Sequence, residues 1–363
     1  MTEQTNTPEL RFPEFREEWE SKEFKDIIKV NSGKDYKHLD IGKYPVYGTG
    51  GYMLSVSDYL YKNDAIGIGR KGTINKPYLL VGPFWTVDTL FYCTPLANNN
   101  LSFLLNLFRK INWKKYDEST GVPSLSKMTI SKIKCKVPII SEQEKIGNFF
   151  SKLDQQIELE EKKLELLEQQ KRGYMQKIFS QELRFKDDNG NSYPQWTLKN
   201  FKEVFEVVPS KKYQIKSSEV EDNANIPVVD QGQNLILGYS KNKEKIFKDF
   251  KNVIIYGDHT TFVKKLDKPF IIGGDGVKLL TSKTGNDINY LYNVLQYFNV
   301  KPEGYKRHFS ILKTKSLYIA TSIEEQKRIA TLFNKIDKYI EKQFKKVELL
   351  KQRKQGLLQK MFI

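Results

Sequence analysis

Along one stretch of the chain, apolar side chains fall alternately four and three residues apart: Ile146, Phe150, Leu153, Ile157, Leu164, Leu167, Tyr174 and Ile178, with Glu160 and Lys171 as polar members of the same series. That spacing is the a and d seam of a heptad and predicts a long helix with one apolar stripe. The series recurs 183 residues later, from Ile146 to Ile329 and onward, as Ile329, Phe333, Ile336, Ile340, Gln343, Val347, Leu350, Lys354, Leu357 and Met361. The same two positions are polar in both copies. No insertion interrupts the match, and neither copy contains proline, so helices are expected over 141–179 and 324–362. Two helices packed separately on their own domains would also carry one stripe each. The shared polar exceptions favour pairing with each other.

Between the helices the pattern changes to short apolar runs bounded by turn residues, which predicts strands. Ala65–Ile68, Tyr78–Val81 and Thr86–Tyr92 have counterparts at Val253–Tyr256, Phe270–Ile272 and Val277–Leu280. Each set follows an amphipathic segment, Phe24–Val30 or Phe201–Val207, and precedes a compact helix, Leu101–Ile111 or Ile288–Phe298. Ile133–Ile139 and Ser316–Ala320 are the last strands before the long helices. Ser141 with Glu144, and Ser322 with Glu325, have capping-box spacing. The chain thus divides into a mixed α/β (α+β) domain over 1–140, a long helix over 141–182, a second such domain over 183–322 and a second long helix over 323–363.

Connectivity adds geometry. If the ends of the second domain lie close together, the helices on either side of it run antiparallel, giving a pseudo-two-fold pair. The polar seam positions then point to a register with Glu160 facing Lys354 and Lys171 facing Gln343, since a buried charge needs a partner. In that register Leu153 meets Met361, Ile157 meets Leu357, Leu164 meets Leu350, and Leu167 meets Val347; Ile336 and Ile340 continue the seam. Helices of about 40 residues span roughly 60 Å, or about 18 base pairs. Gly173 and Gly356 interrupt them at equivalent places, where a glycine costs roughly 1 kcal/mol against alanine. Close approach of a neighbouring backbone and fraying are both open there.

Composition narrows the partners. There are 60 Lys+Arg against 44 Asp+Glu, a net charge of +16, which calls for an anionic partner, with nucleic acid first and a membrane surface second. No apolar run approaches the roughly 18 to 20 residues that span a bilayer, and the first residues lack a signal-peptide pattern, so a cytoplasmic protein is expected. Cys93 and Cys135 supply no disulfide framework, and the scattered His38, His259 and His308 make structural zinc improbable.

The search for catalytic chemistry excludes more than it finds. Gly67-Ile68-Gly69-Arg70-Lys71-Gly72 satisfies GxGxxG, but Thr73 to Pro77 follow where a dinucleotide loop needs a helix. Asn75-Lys76-Pro77-Tyr78 has the outline of the Asn-Pro-Pro-Tyr motif of amino-methyltransferases, with lysine in place of the first proline and no glycine-rich adenosylmethionine loop before it. There is no Walker loop, and Asp258-His259-Thr260 faces Arg70-Lys71-Gly72 in the other repeat. Such divergence suits recognition better than catalysis. The loops supply residue types that contact phosphates or read base edges. In the first half these are Lys34, Tyr36, Lys37, His38, Tyr47, Thr49, Arg70 and Lys71. The second offers Lys211, Lys212, Gln231, Gln233, Asn234, His259, Thr260, Lys306, Arg307 and His308.

Taken together, two α/β domains each followed by a helix that opens on a Glu-Gln pair and closes on Gly-x-x-Gln-Lys-x-Phe resemble the specificity subunit of type I restriction-modification enzymes. Tyr44-Pro45-Val46-Tyr47-Gly48, Ile68 to Gly72, Gly82 to Trp85 with Asp88, and Pro138 to Gln143 are similar to that family's target-recognition domains. The resemblance implies a noncatalytic DNA-binding subunit whose domains each read one half of a bipartite double-stranded site. The antiparallel helices would set the unread spacer. They would also help dock two modification (M) subunits, with restriction (R) subunits joining in the full complex. S-adenosylmethionine, ATP and Mg²⁺ would belong to those partners alone. The second half departs from the pattern at Tyr256 to Thr260, which implies a different half-site. The competing reading is a coiled-coil scaffold with protein-binding α/β domains.

Overall fold

The two seam patterns become uninterrupted helices, Ile140–Phe179 and Ile323–Met361, each end within one residue of the predicted span. The computed structural model describes residues 6–304 and 306–363. It forms two compact units, one built from the residues through Lys162 together with Phe344–Ile363, the other from Lys163–Gln343. Each unit therefore owns one segment of both long helices.

In the first unit a four-stranded antiparallel sheet runs in the order Ile28–Ser32, Leu90–Pro95, Ala65–Gly69, Tyr78–Leu80. A smaller sheet orders Gly51–Val56, Ile41–Gly48 and Trp85–Thr86, with the last pair parallel. The predicted strand Thr86–Tyr92 is thus divided between two sheets. A turn closed by the Leu90 N–H on the Val87 carbonyl separates the pieces, because Thr86 pairs with Tyr47 while Leu90 pairs with Gly69. The second unit repeats this order with Phe205–Val208, Val277–Ser282, Ile254–Gly257 and Val263–Lys264, and with Gly238–Ser240, Ile226–Val229 and Ile271–Ile272.

Aromatic side chains close each core against the long helices. In the first unit Trp19 and Phe103 lie against Phe150 and Phe362, with Phe103 stacked on Phe362 at 5.2 Å. In the second, Phe179 takes the equivalent place, 6.0 Å from Trp196 and stacked on Phe333 at 6.2 Å. A fully buried phenylalanine contributes roughly 1.5–3 kcal/mol relative to exposure. Anchoring the helix end is thus a substantial term in each unit.

The Glu-Gln pair that opens each long helix is a latch. Glu142 is fully buried and accepts from two guanidinium nitrogens of Arg11, Nε at 2.8 Å and Nη2 at 2.7 Å, and this bonding raises the arginine further above its ordinary value. Glu325 takes Arg184 at 3.1 and 2.9 Å and also the Trp196 indole N–H at 3.0 Å. Next to them, Gln143 accepts from the Asn100 N–H and donates to the Pro138 carbonyl, while Gln326 accepts from Asp287 and donates to Ala320. Asn100 and Asp287 are the N-caps of the short helices Leu101–Lys110 and Ile288–Phe298. The latch ties the start of one helix to the start of the other.

The predicted capping boxes do not form in full. The first helix begins at Ile140, which puts Ser141 inside it rather than at the cap. Ser322 does accept the Glu325 N–H, at 3.4 Å, but the Glu325 carboxylate is committed to Arg184.

The charged partners in the seam also differ from expectation. Within the first unit Lys354 pairs with Asp154, and Glu160 pairs with Lys346, so the Glu160–Lys354 pair does not form. In the second unit Lys171 pairs with Asp337 at 2.8 Å and donates to Gln296. Both lysines take the aspartate one residue beyond a seam position, Leu153 or Ile336. Each site is completed by the short helix, through Arg109 on Asp154 at 2.7 Å or through Gln296. Burial lowers the Lys354 ammonium, against its hydrogen bond to Asp154, and the Arg109 charge adds to the lowering. Heptad spacing alone cannot register a third element of this kind. A Cβ placed at Gly173 or Gly356 would meet nothing within 4 Å, so no close approach within the chain accounts for these glycines.

Candidate nucleic-acid interface

The hairpin Ala65–Gly69 to Tyr78–Leu80 carries the GxGxxG stretch, and its glycines serve the loop itself. A Cβ on Gly69 would sit 2.2 Å from the Thr73 carbonyl oxygen, and Gly72 has φ +86, where L side chains are strained. The loop folds back tightly and presents Arg70 and Lys71 outward. It is fixed by the turn that divides the predicted strand: the Arg70 and Lys71 N–H groups both donate to the Thr89 carbonyl, at 2.8 and 3.3 Å. The Arg70 guanidinium reaches the Asp88 carbonyl at 3.4 Å and lies over the Phe91 ring.

Beside this loop opens a cleft of about 710 Å³ lined by Asp35, Tyr36, Lys37, Gly48 to Met53 and Val87 to Thr89. Of the predicted residues, Tyr36, Lys37 and Thr49 line it. Lys34 is exposed next to it, its carbonyl accepting the Trp85 indole N–H, and His38 is exposed with its ring 5.8 Å from that of Trp85. Tyr47 is half-buried among Tyr52, Tyr78 and Phe84, so its ring packs the sheet. The Tyr78 hydroxyl donates to the Gly48 carbonyl, and burial raises its pKa. Sequence reasoning did not single out Tyr52 and Met53 as contacts. As adjacent strand residues they cannot both face inward by period-two alternation, and both are exposed.

In the second unit the predicted residues separate. Lys211, Lys212, Gln233, Asn234, Lys306 and Arg307 are exposed. Gln233 lines a different cleft, of about 770 Å³, with Lys264, Lys265 and Asp337. Lys264 is buried, donating to the Asp230 and Asn234 carbonyls, and burial lowers its pKa. Gln231 and Thr260 hold the loop together: the Gln231 side chain accepts the His259 N–H at 3.1 Å, and its carbonyl accepts the Thr260 hydroxyl. His259 faces the Lys306 carbonyl at 3.1 Å.

His308 does not belong with the contact residues. It is fully buried, its Nε2 accepting the Glu303 N–H at 2.9 Å and its Nδ1 lying 3.3 Å from the Asp258 carbonyl. Both ring nitrogens are used inside the fold, so a base or phosphate cannot reach them. A histidine following Lys306-Arg307 looks like part of a basic cluster in sequence, yet it opens the short helix His308–Leu312 and faces inward.

Among the described residues no group of three or more His, Cys, Asp or Glu could hold a metal ion. Burial raises the thiols of Cys93 and Cys135, the latter to about 12, away from nucleophilic behaviour. No helix among the described residues is long and apolar enough to cross a membrane.

Two separate stretches, 16–169 and 194–351, match the model described as "Type I restriction modification DNA specificity domain". The chain belongs to that family. Each specificity-domain match begins just before the amphipathic segment of one half and runs into its long helix. Among curated relatives, the type I restriction enzyme MjaVIII specificity subunit of Methanocaldococcus jannaschii is 26% identical over 68% of this chain; the match spans 65% of that relative's length. The putative MjaX specificity subunit of the same organism is 25% identical over 99% of this chain and 88% of its own. A crystal structure of a type I restriction-modification S subunit from M. genitalium shares the fold. It aligns over 98% of this chain and 99% of its own, with a TM-score of 0.71 and 16% identity.

Proposed function

We propose that this chain is the noncatalytic, sequence-specific DNA-binding subunit of a type I restriction-modification system. Each recognition domain, 1–140 and 183–322, reads one half of a bipartite duplex target. The long helices set the spacer and help dock two modification subunits that perform the methylation, with restriction subunits in the full complex. The observation that carries this reading is the first unit's cleft: Lys37 on its wall, Lys34 beside it, and Arg70 and Lys71 on the loop hydrogen-bonded to its rim. Exposed cations on a backbone-fixed rim suit a polyanion, because each phosphate contact releases condensed counterions. On the helices, Leu159 and Leu349 in the first unit and Leu166 and Tyr339 in the second are exposed apolar side chains. Faces of that kind suit protein partners.

Methylome sequencing of a host with the gene present and deleted tests the reading. A split methylated motif should vanish on deletion. Methyl transfer by the pure chain would refute the division of labour, and failure to bind duplex DNA or heparin would favour the protein-binding scaffold. Inserting one heptad into both helices adds roughly 10 Å to each. The spacer in the methylated motif should widen by about three base pairs. An unchanged spacer would locate the ruler elsewhere.

A further inference from the structure

Asp88 is one of two acidic residues, with Asp35, lining a cleft that also carries Lys37, in a chain of net charge +16. Beside a phosphate backbone, a carboxylate is repelled unless something donates to it. Among the described residues its carboxylate has no hydrogen-bond or ion-pair partner. The neighbouring guanidinium of Arg70 bonds the Asp88 carbonyl and leaves the carboxylate free. Backbone bonds from Arg70 and Lys71 to Thr89 hold the two side chains at one fixed spot.

The second unit shows what the same positions look like when they are structural. There the Asp258 N–H donates to the Gly276 carbonyl as the Arg70 N–H donates to that of Thr89, which makes Asp275 the counterpart of Asp88. Asp275 is occupied, accepting from Gln214 Nε2 at 2.9 Å, and Arg70 is replaced by the buried Asp258. At these positions only the first unit sets an unpartnered carboxylate beside an exposed arginine.

We propose that Arg70 and Asp88 together read one G·C base pair in the half-site bound by the first domain, an inference that rests on the DNA-binding reading above. In the major groove a G·C pair presents the guanine N7 and O6 acceptors beside the cytosine N4 amino donor. A guanidinium supplies two donors to the guanine edge, and a carboxylate, which only accepts, takes the cytosine amino group. Thymine and guanine offer no major-groove donor to Asp88, so the pair is selected by acceptance as well as by donation.

The test is selection from a random duplex library by the full-length chain, with the bound consensus sequenced for wild type, Asp88→Asn, Asp88→Ala, Arg70→Lys and Asp35→Asn. Asp35 lines the same cleft but lies within 3.4 Å of the Lys37 N–H, so it serves as the control carboxylate. The wild type should require a G·C pair at one position of one half-site. Both Asp88 variants should lose discrimination at that pair by about five- to 150-fold, the range for a good base contact. They should keep the other half-site and the thermal midpoint, since Asp88 is exposed. Arg70→Lys should relax the same pair. Four results overturn the inference: a half-site without a G·C pair, a consensus indifferent to Asp88, a shift produced by Asp35→Asn instead, or effects of Arg70 and Asp88 at separate base pairs. If the wild type selects no sequence at all, the DNA-binding reading falls with it, which distinguishes the two failures.

Discussion

Where the third strand of the four-stranded sheet ends, the first unit places Arg70 and Lys71, exposed. The second places Asp258, buried, with its carboxylate accepting the Phe309 N–H at 3.0 Å. Both positions rest on the same backbone bond, to Thr89 in one unit and to Gly276 in the other. The frame is made by main-chain groups that every residue carries, so the side chain riding on it can change without disturbing the sheet. What differs is where the side chain goes. Arg70 and Lys71 face solvent, whereas Asp258 anchors His308 and the short helix behind it. Divergence between the halves is thus concentrated in the loops, and a loop can be surface in one half and support in the other.

Experiments on equivalent residues would sharpen or break this comparison. The largest effects belong to the shared latch. Glu142→Ala and Glu325→Ala each leave a part-buried arginine without its carboxylate and should cost about 1–3 kcal/mol of local stability. Glu325 should cost about 1 kcal/mol more, because Trp196 also loses its acceptor. Hydrogen exchange resolved by unit measures both, and identical losses would discount the indole bond.

Next, Asp258→Ala should destabilise the second unit by about 1–3 kcal/mol through the unpaired Phe309 N–H. Arg70→Ala should leave the melting midpoint in place and weaken duplex binding by about 1–3 kcal/mol, while Lys71→Ala should lower the salt slope by about 1. Titrations at several salt concentrations would separate them. An Arg70 variant that melts early but binds normally would erase the contrast between the loops.

A smaller difference is expected where the long helices meet the short ones. Asp154 holds two cations, Arg109 and Lys354, whereas Asp337 holds Lys171 with neutral Gln296 alongside. Asp154→Asn leaves two cations facing each other and should cost on the order of 1 kcal/mol, more than Asp337→Asn at its part-exposed site. Equal costs in denaturant melts would show that solvent screens both. Last, Gly173→Ala and Gly356→Ala should each stabilise the helix by up to about 1 kcal/mol, since the added Cβ meets nothing. A chain that gains stability yet assembles poorly with its partners would assign those glycines to an intermolecular contact.

The element plan was legible in the chain because it rests on local periodicity. The seam predicted both long helices to within a residue, and the short helices and most strands followed from apolar runs between turn residues. Features that depend on distant partners were not legible. Glu142 reads as a first-turn helix acid, but Arg11 claims it from 131 residues away. The partners of the lysines were not the expected ones, because Asp154, Asp337, Arg109 and Gln296 lie off the seam. At the candidate interface, residue type was informative for Arg70 and Lys71 and misleading for His308, since charge and polarity do not reveal which way a side chain faces. Asp88 was visible in a motif, but its unpartnered carboxylate becomes apparent only when Arg70 is seen to take the carbonyl.

The discontinuity of the first unit bears on the order of events during synthesis. Its core includes Met361 and Phe362, and the Leu10 N–H is held by the Lys360 carbonyl, as the Leu183 N–H is held by that of Lys177. The second unit, Lys163–Gln343, is contiguous. On a ribosome, the half translated first must therefore wait with its aromatic core unclosed while the later half is completed, reversing the usual N-terminal-first sequence.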